Sequence, residues 1–158
     1  MKLYYKNMIS TKIKKIVCKE TSRISWHDYF MSIAIVASSR SSCDRLHVGC
    51  VIVNNDNRIV SIGYNGHLAG FEHKSYIKHN HEQNTIHAEQ NAIIYAAKSG
   101  TSIDQCKAYV THFPCYHCAK MLIASGIKNI YYHEDYKNDK LVVDICKKGC
   151  VSILQINE

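Results

Sequence analysis

Proline occurs once in 158 residues, at Pro114, and glycine only seven times. So few chain breakers exclude a collagen-like or proline-rich extended protein, and there is no low-complexity tract. No apolar run approaches the ~20 residues of a membrane span. Nor does the N-terminus carry the apolar core of a secretory signal. Acidic residues are missing from positions 1–19, which hold six lysines. That leaves 14 basic and 13 acidic residues in the remainder, so most of the net charge of +7 belongs to an arm. The nearly neutral body offers no basic stripe for a polynucleotide, and no nucleic-acid partner is expected. We expect a basic extension over 1–20 and one domain over 21–158, in which 46% hydrophobic residues can build a core. Eight cysteines without a signal point to a reducing, cytoplasmic setting with no membrane partner.

The hydrophobic pattern predicts an amphipathic helix over 26–41, capped by Ser25, with Tyr29, Ile33, Val36 and Ala37 on its apolar face. A buried strand over 48–53, a polar turn over 54–57 and a strand over 58–64 read as a hairpin. A long polar loop then runs to residue 84 and contains His67, His73, His79 and His81; loops of that length in compact domains are usually functional. Beyond it, helices over 88–97, 115–125 and 139–148 alternate with strands over 106–111, 128–132 and 150–155. Asn84 or Thr85 is a candidate cap for the first of these helices, and Pro114 suits the first turn of the second. Such alternation calls for parallel pairing, so the expected fold is α/β: a three-layer α/β/α sandwich with a mixed five-stranded sheet. Cys50, Cys106, Cys146 and Cys150 lie in or beside apolar segments and read as small core residues.

Two short stretches carry chemistry: His87-Ala88-Glu89, and Pro114-Cys115-Tyr116-His117-Cys118. One imidazole and two thiols make three ligands, and a tetrahedral zinc with three protein ligands keeps an open position, as catalytic zinc does. Glu89 adds a carboxylate that can move protons beside the metal. Cys115 and Cys118, three apart at a helix start, sit on one face, where the helix dipole favours the thiolate. A redox pair would not need the upstream His and Glu, and a zinc ribbon would need a second close Cys pair, which is missing. His-x-Glu with Pro-Cys-x-x-Cys is the signature of zinc nucleobase deaminases.

Over about residues 26–138 the chain resembles the deoxycytidylate (dCMP) deaminases of the cytidine and deoxycytidylate zinc deaminase family. The resemblance rests on Trp26 with Tyr29-Phe30-Met31, on Ser42-Cys43-Asp44-Arg45, Val48-Gly49 and Gly63-Tyr64-Asn65-Gly66, and on the two zinc motifs. It continues through Ser125-Gly126-Ile127 and Asp135-Tyr136-Lys137-Asn138. It implies hydrolytic deamination of dCMP to dUMP and ammonia in deoxynucleotide metabolism. His87, Cys115 and Cys118 would bind zinc, and Glu89 would carry protons from water to N3 of the base and on to the departing amino group. Substrate contacts implied in the same way are Asn65 to sugar and base, the Ala88 amide to O2, and Tyr136 and Lys137 near the phosphate. Relatives are commonly hexamers activated by dCTP with Mg and inhibited by dTTP, through a site that involves Gly63, Tyr64, Asn65 and Gly66. Some hold a second, structural zinc; here its candidate ligands are Cys43, His73, His79 and His81, with Lys74 and Glu82 standing where relatives have cysteines. A tRNA adenosine deaminase, a free cytidine deaminase and an inactive nucleotide-binding relative share parts of this pattern. The intact Glu89 argues against an inactive relative, Ala119-Lys120 after the Cys pair against a free cytidine deaminase, and the nearly neutral body against a tRNA deaminase; Gly63-Tyr64-Asn65-Gly66 with the polar insert before His87 is what points to the dCMP branch.

Overall fold

A computed structural model describes residues 23–78 and 81–156, with the side chain of His81 excepted. The basic arm and His79 lie outside the described residues. Helix α1 (Trp26–Ser38) opens on Ser25, whose hydroxyl accepts the Asp28 N–H at 3.0 Å. It ends three residues before the expected 41. Ser38 and Ser39 turn their hydroxyls back onto the Ile35 and Val36 carbonyls, which competes with continuation of the helix. Its buried face is Phe30, Met31 and Ala34, not the Tyr29–Val36 stripe read from the sequence; Tyr29 and Val36 are 42% and 58% exposed. Contact with the sheet decides the rotation. Phe30, Met31 and Ala34 cluster with Val51, Val53 and Tyr109, and the absence of a side chain at Gly49 lets the Ala34 carbonyl come against the strand.

Strands β1 (Gly49–Val53) and β2 (Ile59–Tyr64) form the expected antiparallel hairpin, with Asn57 at φ 56° in its turn. Helix α2 (Ala88–Lys98), strand β3 (Lys107–His112), helix α3 (Tyr116–Ala124), strand β4 (Asn129–Glu134), helix α4 (Lys140–Lys148) and strand β5 (Ser152–Gln155) follow. The sheet order is β2-β1-β3-β4-β5. β1 pairs antiparallel with β2 and β3, whereas β3, β4 and β5 run parallel, so the sheet is mixed as expected. β1 is buried on both faces. Val51 and Val53 meet α1, while Cys50 and Ile52 join the larger core of Ala88, Ala92, Val110, Leu122 and Ile130 with Val142 of α4. Each fully buried Val, Leu or Ile side chain among these stabilises the fold by about 2 kcal/mol relative to exposure.

The polar loop is more ordered than its composition implies. Gly66–His67 pairs with Thr85–Ile86, and Ile77–Lys78 with His81–Glu82. The Glu82 carboxylate accepts the N–H groups of Tyr76 and Asn84, and those bonds hold its pKa below the usual carboxylate range. Because the Thr85–Ile86 pairing keeps the chain extended, the cap of α2 is His87 rather than Asn84 or Thr85. Pro114 likewise precedes the cap of α3, which is Cys115. Cys50, Cys106 and Cys146 are buried; Cys150 is not a core residue but an exposed one at φ 53° in the turn before β5.

Candidate metal centre

α2 and α3 begin facing one another, and their caps are His87 and Cys115. The Gln90 carboxamide reaches back to the His87 N–H at 3.1 Å and fixes the entry to α2. The His87 Nδ1 lies 3.6 Å from the Cys115 Sγ and 3.4 Å from the Cys118 Sγ. Nδ1 and the two sulfurs fall within 4.8 Å of one another, the one such three-donor cluster among the described residues. Hydrogen bonds from Cys118 and from His87 hold the Cys115 pKa down to about 3. The hydrogen bond between the two sulfurs and burial push Cys118 up, and contact with the Cys115 sulfur raises His87. Such a donor set fits zinc, with one tetrahedral position left over.

Glu89, in the first turn of α2, is 4% exposed, and burial raises its carboxyl above the ordinary range. His87, Ala88, Glu89 and Cys115 line a cavity of about 800 Å³, on whose wall lie Asn65, His112 and Phe113. Arg45, Tyr136, Lys137, Cys43 and Glu82 line it as well. Every substrate residue expected from the sequence is therefore at one cavity. Asn65 is nearly buried and already employed: its Oδ1 accepts the Val48 N–H at 2.8 Å and its Nδ2 donates to the Leu46 carbonyl at 2.6 Å. Gly63 lies beneath α2, the Tyr64 carbonyl accepts from Asn91, and Gly66 stands against the Ser42 hydroxyl.

Two residues lining the cavity were not singled out in the sequence. The Arg45 Nη2 donates to the Tyr136 hydroxyl, a contact between positions 91 apart that no local pattern announces. His112 bonds through Nδ1 to the Thr111 hydroxyl and meets Tyr136 edge-on, and burial lowers its pKa. Of the candidates for a second metal, Cys43 is buried and His73 stacks on His67 at 4.9 Å. The His67 Nε2 is buried without a hydrogen-bond partner. Cys43 and His73 belong to no three-donor cluster among the described residues.

The profile of the cytidine and deoxycytidylate deaminase zinc-binding region matches residues 24–134. The chain is 41% identical to ComE operon protein 2 of Bacillus subtilis over 138 residues, 85% of this chain and 72% of that one. It is 41% identical to a probable deoxycytidylate deaminase of Caenorhabditis elegans over 146 residues, 89% of this chain and 72% of the other. Against the solved dCMP deaminase of cyanophage S-TIM5 in complex with dCMP and dUMP, the TM-score is 0.75 at 31% identity. The match covers 85% of this chain and 99% of the phage protein. A tRNA:A34 deaminase shares the fold, at 22% identity and TM-score 0.59.

Proposed function

The chain belongs to the cytidine and deoxycytidylate deaminase family, and on that premise we propose that it hydrolyses dCMP to dUMP and ammonia. The observation that carries the reading is the cluster of His87, Cys115 and Cys118 beside buried Glu89 at the base of a nucleotide-sized cavity. Those three side chains would hold a zinc ion, which would supply a water of lowered pKa as a nucleophile near neutral pH. Glu89 would accept the proton that this water loses as its oxygen bonds to C4, deliver it to N3 of the cytosine, and carry the second proton to the amino group as the C4–N bond breaks and ammonia leaves. Burial suits it to this work, because a raised carboxyl pKa brings the group closer to the pH at which it must both accept and donate. The Ala88 N–H, at the first position of α2, has no partner within its own helix and can donate to the base O2. Asn65 braces the cavity wall and faces sugar and base, while Tyr136 and Lys137 serve the phosphate.

Further parts of the proposal rest on the family resemblance. Turnover is regulated by dCTP with Mg and by dTTP, through the Gly63–Gly66 segment, in a homo-oligomer. The exposed apolar residues Ile35 and Val36 of α1 support such association. A second, structural zinc takes Cys43 and His73 with His81 or His79; the buried His67 Nε2, which has no hydrogen-bond partner on a ring stacked against His73, supports a cation there. Seven free thiols among the described residues support a reducing, cytoplasmic setting, and no helix among them is long and apolar enough to cross a membrane. The basic arm over 1–20 is dispensable for turnover of a free nucleotide.

Ultraviolet absorbance on adding dCMP, deoxycytidine, dCTP and a tRNA stem-loop in parallel tests the reading. dCMP should be consumed fastest, with a rate that responds to dCTP and Mg. Preference for deoxycytidine or for the stem-loop would replace the nucleotide reading by one of its rivals.

A further inference from the structure

The cavity that holds the metal donors shares a wall with a second cavity, of about 460 Å³. His112 and Tyr136 line both, whereas Thr111 lines the second alone. His112 is the last residue of β3, and its ring meets Tyr136 edge-on, 6.0 Å between centroids. The reaction described above gives this ring no work.

The hydrogen bonds beside the ring decide which nitrogen carries its proton. The Gly49 N–H can only donate, and it donates to the Thr111 Oγ1 at 3.1 Å. Thr111 is 4% exposed, so its own hydroxyl proton needs an acceptor inside the protein. Among the described residues that acceptor is the His112 Nδ1, at 2.9 Å. If Nδ1 donated instead, the buried hydroxyl proton would be stranded, which is costly. Nδ1 is therefore the bare nitrogen, and Nε2 carries the hydrogen. Burial lowers the pKa of the ring, while nearby Glu134 and His133 pull in opposite directions, so the imidazole stays uncharged at neutral pH. Among the described residues Nε2 has no hydrogen-bond partner, and it is not sealed from solvent. Nδ1 is turned to Thr111, on the side of the second cavity, so Nε2 points the other way. The wall of the first cavity thus carries a fixed, uncharged donor.

We infer that His112 donates its Nε2–H to the 3′-oxygen of the substrate sugar, and that Thr111 is the positioning residue that sets its tautomer. This rests on the nucleotide deaminase reading of the site and adds a specificity-determining residue to it. The choice of the 3′-oxygen follows from the chemistry of the ligand. The acceptors of a bound dCMP are O2 and N3 of the base, the sugar oxygens and the phosphate. O2 is met by the Ala88 N–H, and N3 by the proton that Glu89 carries. Phosphate oxygens call for a cation, and this ring is uncharged. The ring oxygen of the sugar is a weak acceptor, which leaves the 3′-hydroxyl oxygen. Because the Thr111 bond fixes the donor before the substrate arrives, less freedom is lost on binding.

The test compares kcat/KM for dCMP and for 2′,3′-dideoxycytidine 5′-monophosphate, which lacks the 3′-oxygen. It uses the wild type, His112→Leu, His112→Gln and Thr111→Val, with zinc content and thermal midpoint measured for each. The wild type should favour dCMP. His112→Leu should cut that preference by about 3–10-fold, carried by KM, as expected for the loss of one neutral hydrogen bond. His112→Gln keeps an N–H at a similar reach and should restore part of the preference. Nitrogen NMR spectra of the wild type should show His112 with Nε2 protonated and Nδ1 bare. Thr111→Val should move the ring toward the other tautomer and lower the preference by a smaller factor; if that variant does not fold, the wild-type spectra still decide the tautomer. A preference that survives intact in His112→Leu would overturn the inference, and so would a wild type with Nδ1 protonated. A wild type that deaminates both nucleotides alike would overturn it and leave the nucleotide reading in place. A wild type that does not deaminate dCMP would overturn both.

Discussion

A β-carbon on Gly63 would stand 2.2 Å from the carbonyl oxygen of Ala88. β2 and the first turn of α2 are therefore in backbone contact, and α2 brings His87 and Glu89 to the cavity from that contact. Gly63→Ala forces the helix off the sheet. It should lower the unfolding free energy by about 1–3 kcal/mol, the usual cost of overpacking, and reduce zinc content and kcat together. Denaturant unfolding with metal analysis checks this; a fully stable, fully active Gly63→Ala would show that the contact yields without cost.

Glu89 is expected to act beside the metal and not on it. Glu89→Gln keeps shape and volume but cannot carry the proton. Zinc content should match the wild type while kcat falls by about 10²–10⁴, the range for loss of a positioned acid–base group. Parallel loss of zinc and activity would make Glu89 a ligand.

Cys118 is fully buried at the start of α3 and is one of three donors. Cys118→Ser should release zinc and lower the thermal midpoint, because metal affinity contributes to folding free energy. The wild type should lose stability in a chelator by a comparable amount, and the variant should be nearly insensitive to the chelator. Calorimetric melts of both proteins, with and without chelator, give the comparison.

For the structural zinc, elemental analysis of purified protein should find two zinc ions per chain. Cys43→Ser should reduce this to one, with dCMP turnover retained in part. One zinc in both proteins would remove the second site.

Much of the candidate metal centre was legible because it is local. His87 and Glu89 are two apart, Cys115 and Cys118 three apart, and spacing fixes which side chains share a helix start. The strands were legible from their apolar runs, and the mixed sheet from the change of hairpin to alternating order. What the sequence did not announce is settled by tertiary contact. The inner face of α1 is Phe30, Met31 and Ala34 because Gly49 lets that side approach; by composition alone the Tyr29–Val36 stripe is as apolar. His87 as cap follows from the pairing of Thr85–Ile86 with a segment some twenty residues earlier. Arg45 on Tyr136 joins two loops that only the folded sheet brings together.

The four helices among the described residues start in two ways. α1 and α4 open on oxygen caps, Ser25 and Asp139, which accept backbone N–H groups from within the same chain segment. α2 and α3 open on His87 and Cys115, whose side chains belong to the three-donor cluster that could hold a cation. Depletion of zinc therefore reverses the customary order of fraying. α1 and α4 stay fastened, and α2 and α3 loosen at their first turns, where the cavity lies. Backbone amides at the starts of α2 and α3 would then exchange with solvent well before those of α1 and α4, and a zinc-starved population would be softened first around the cavity.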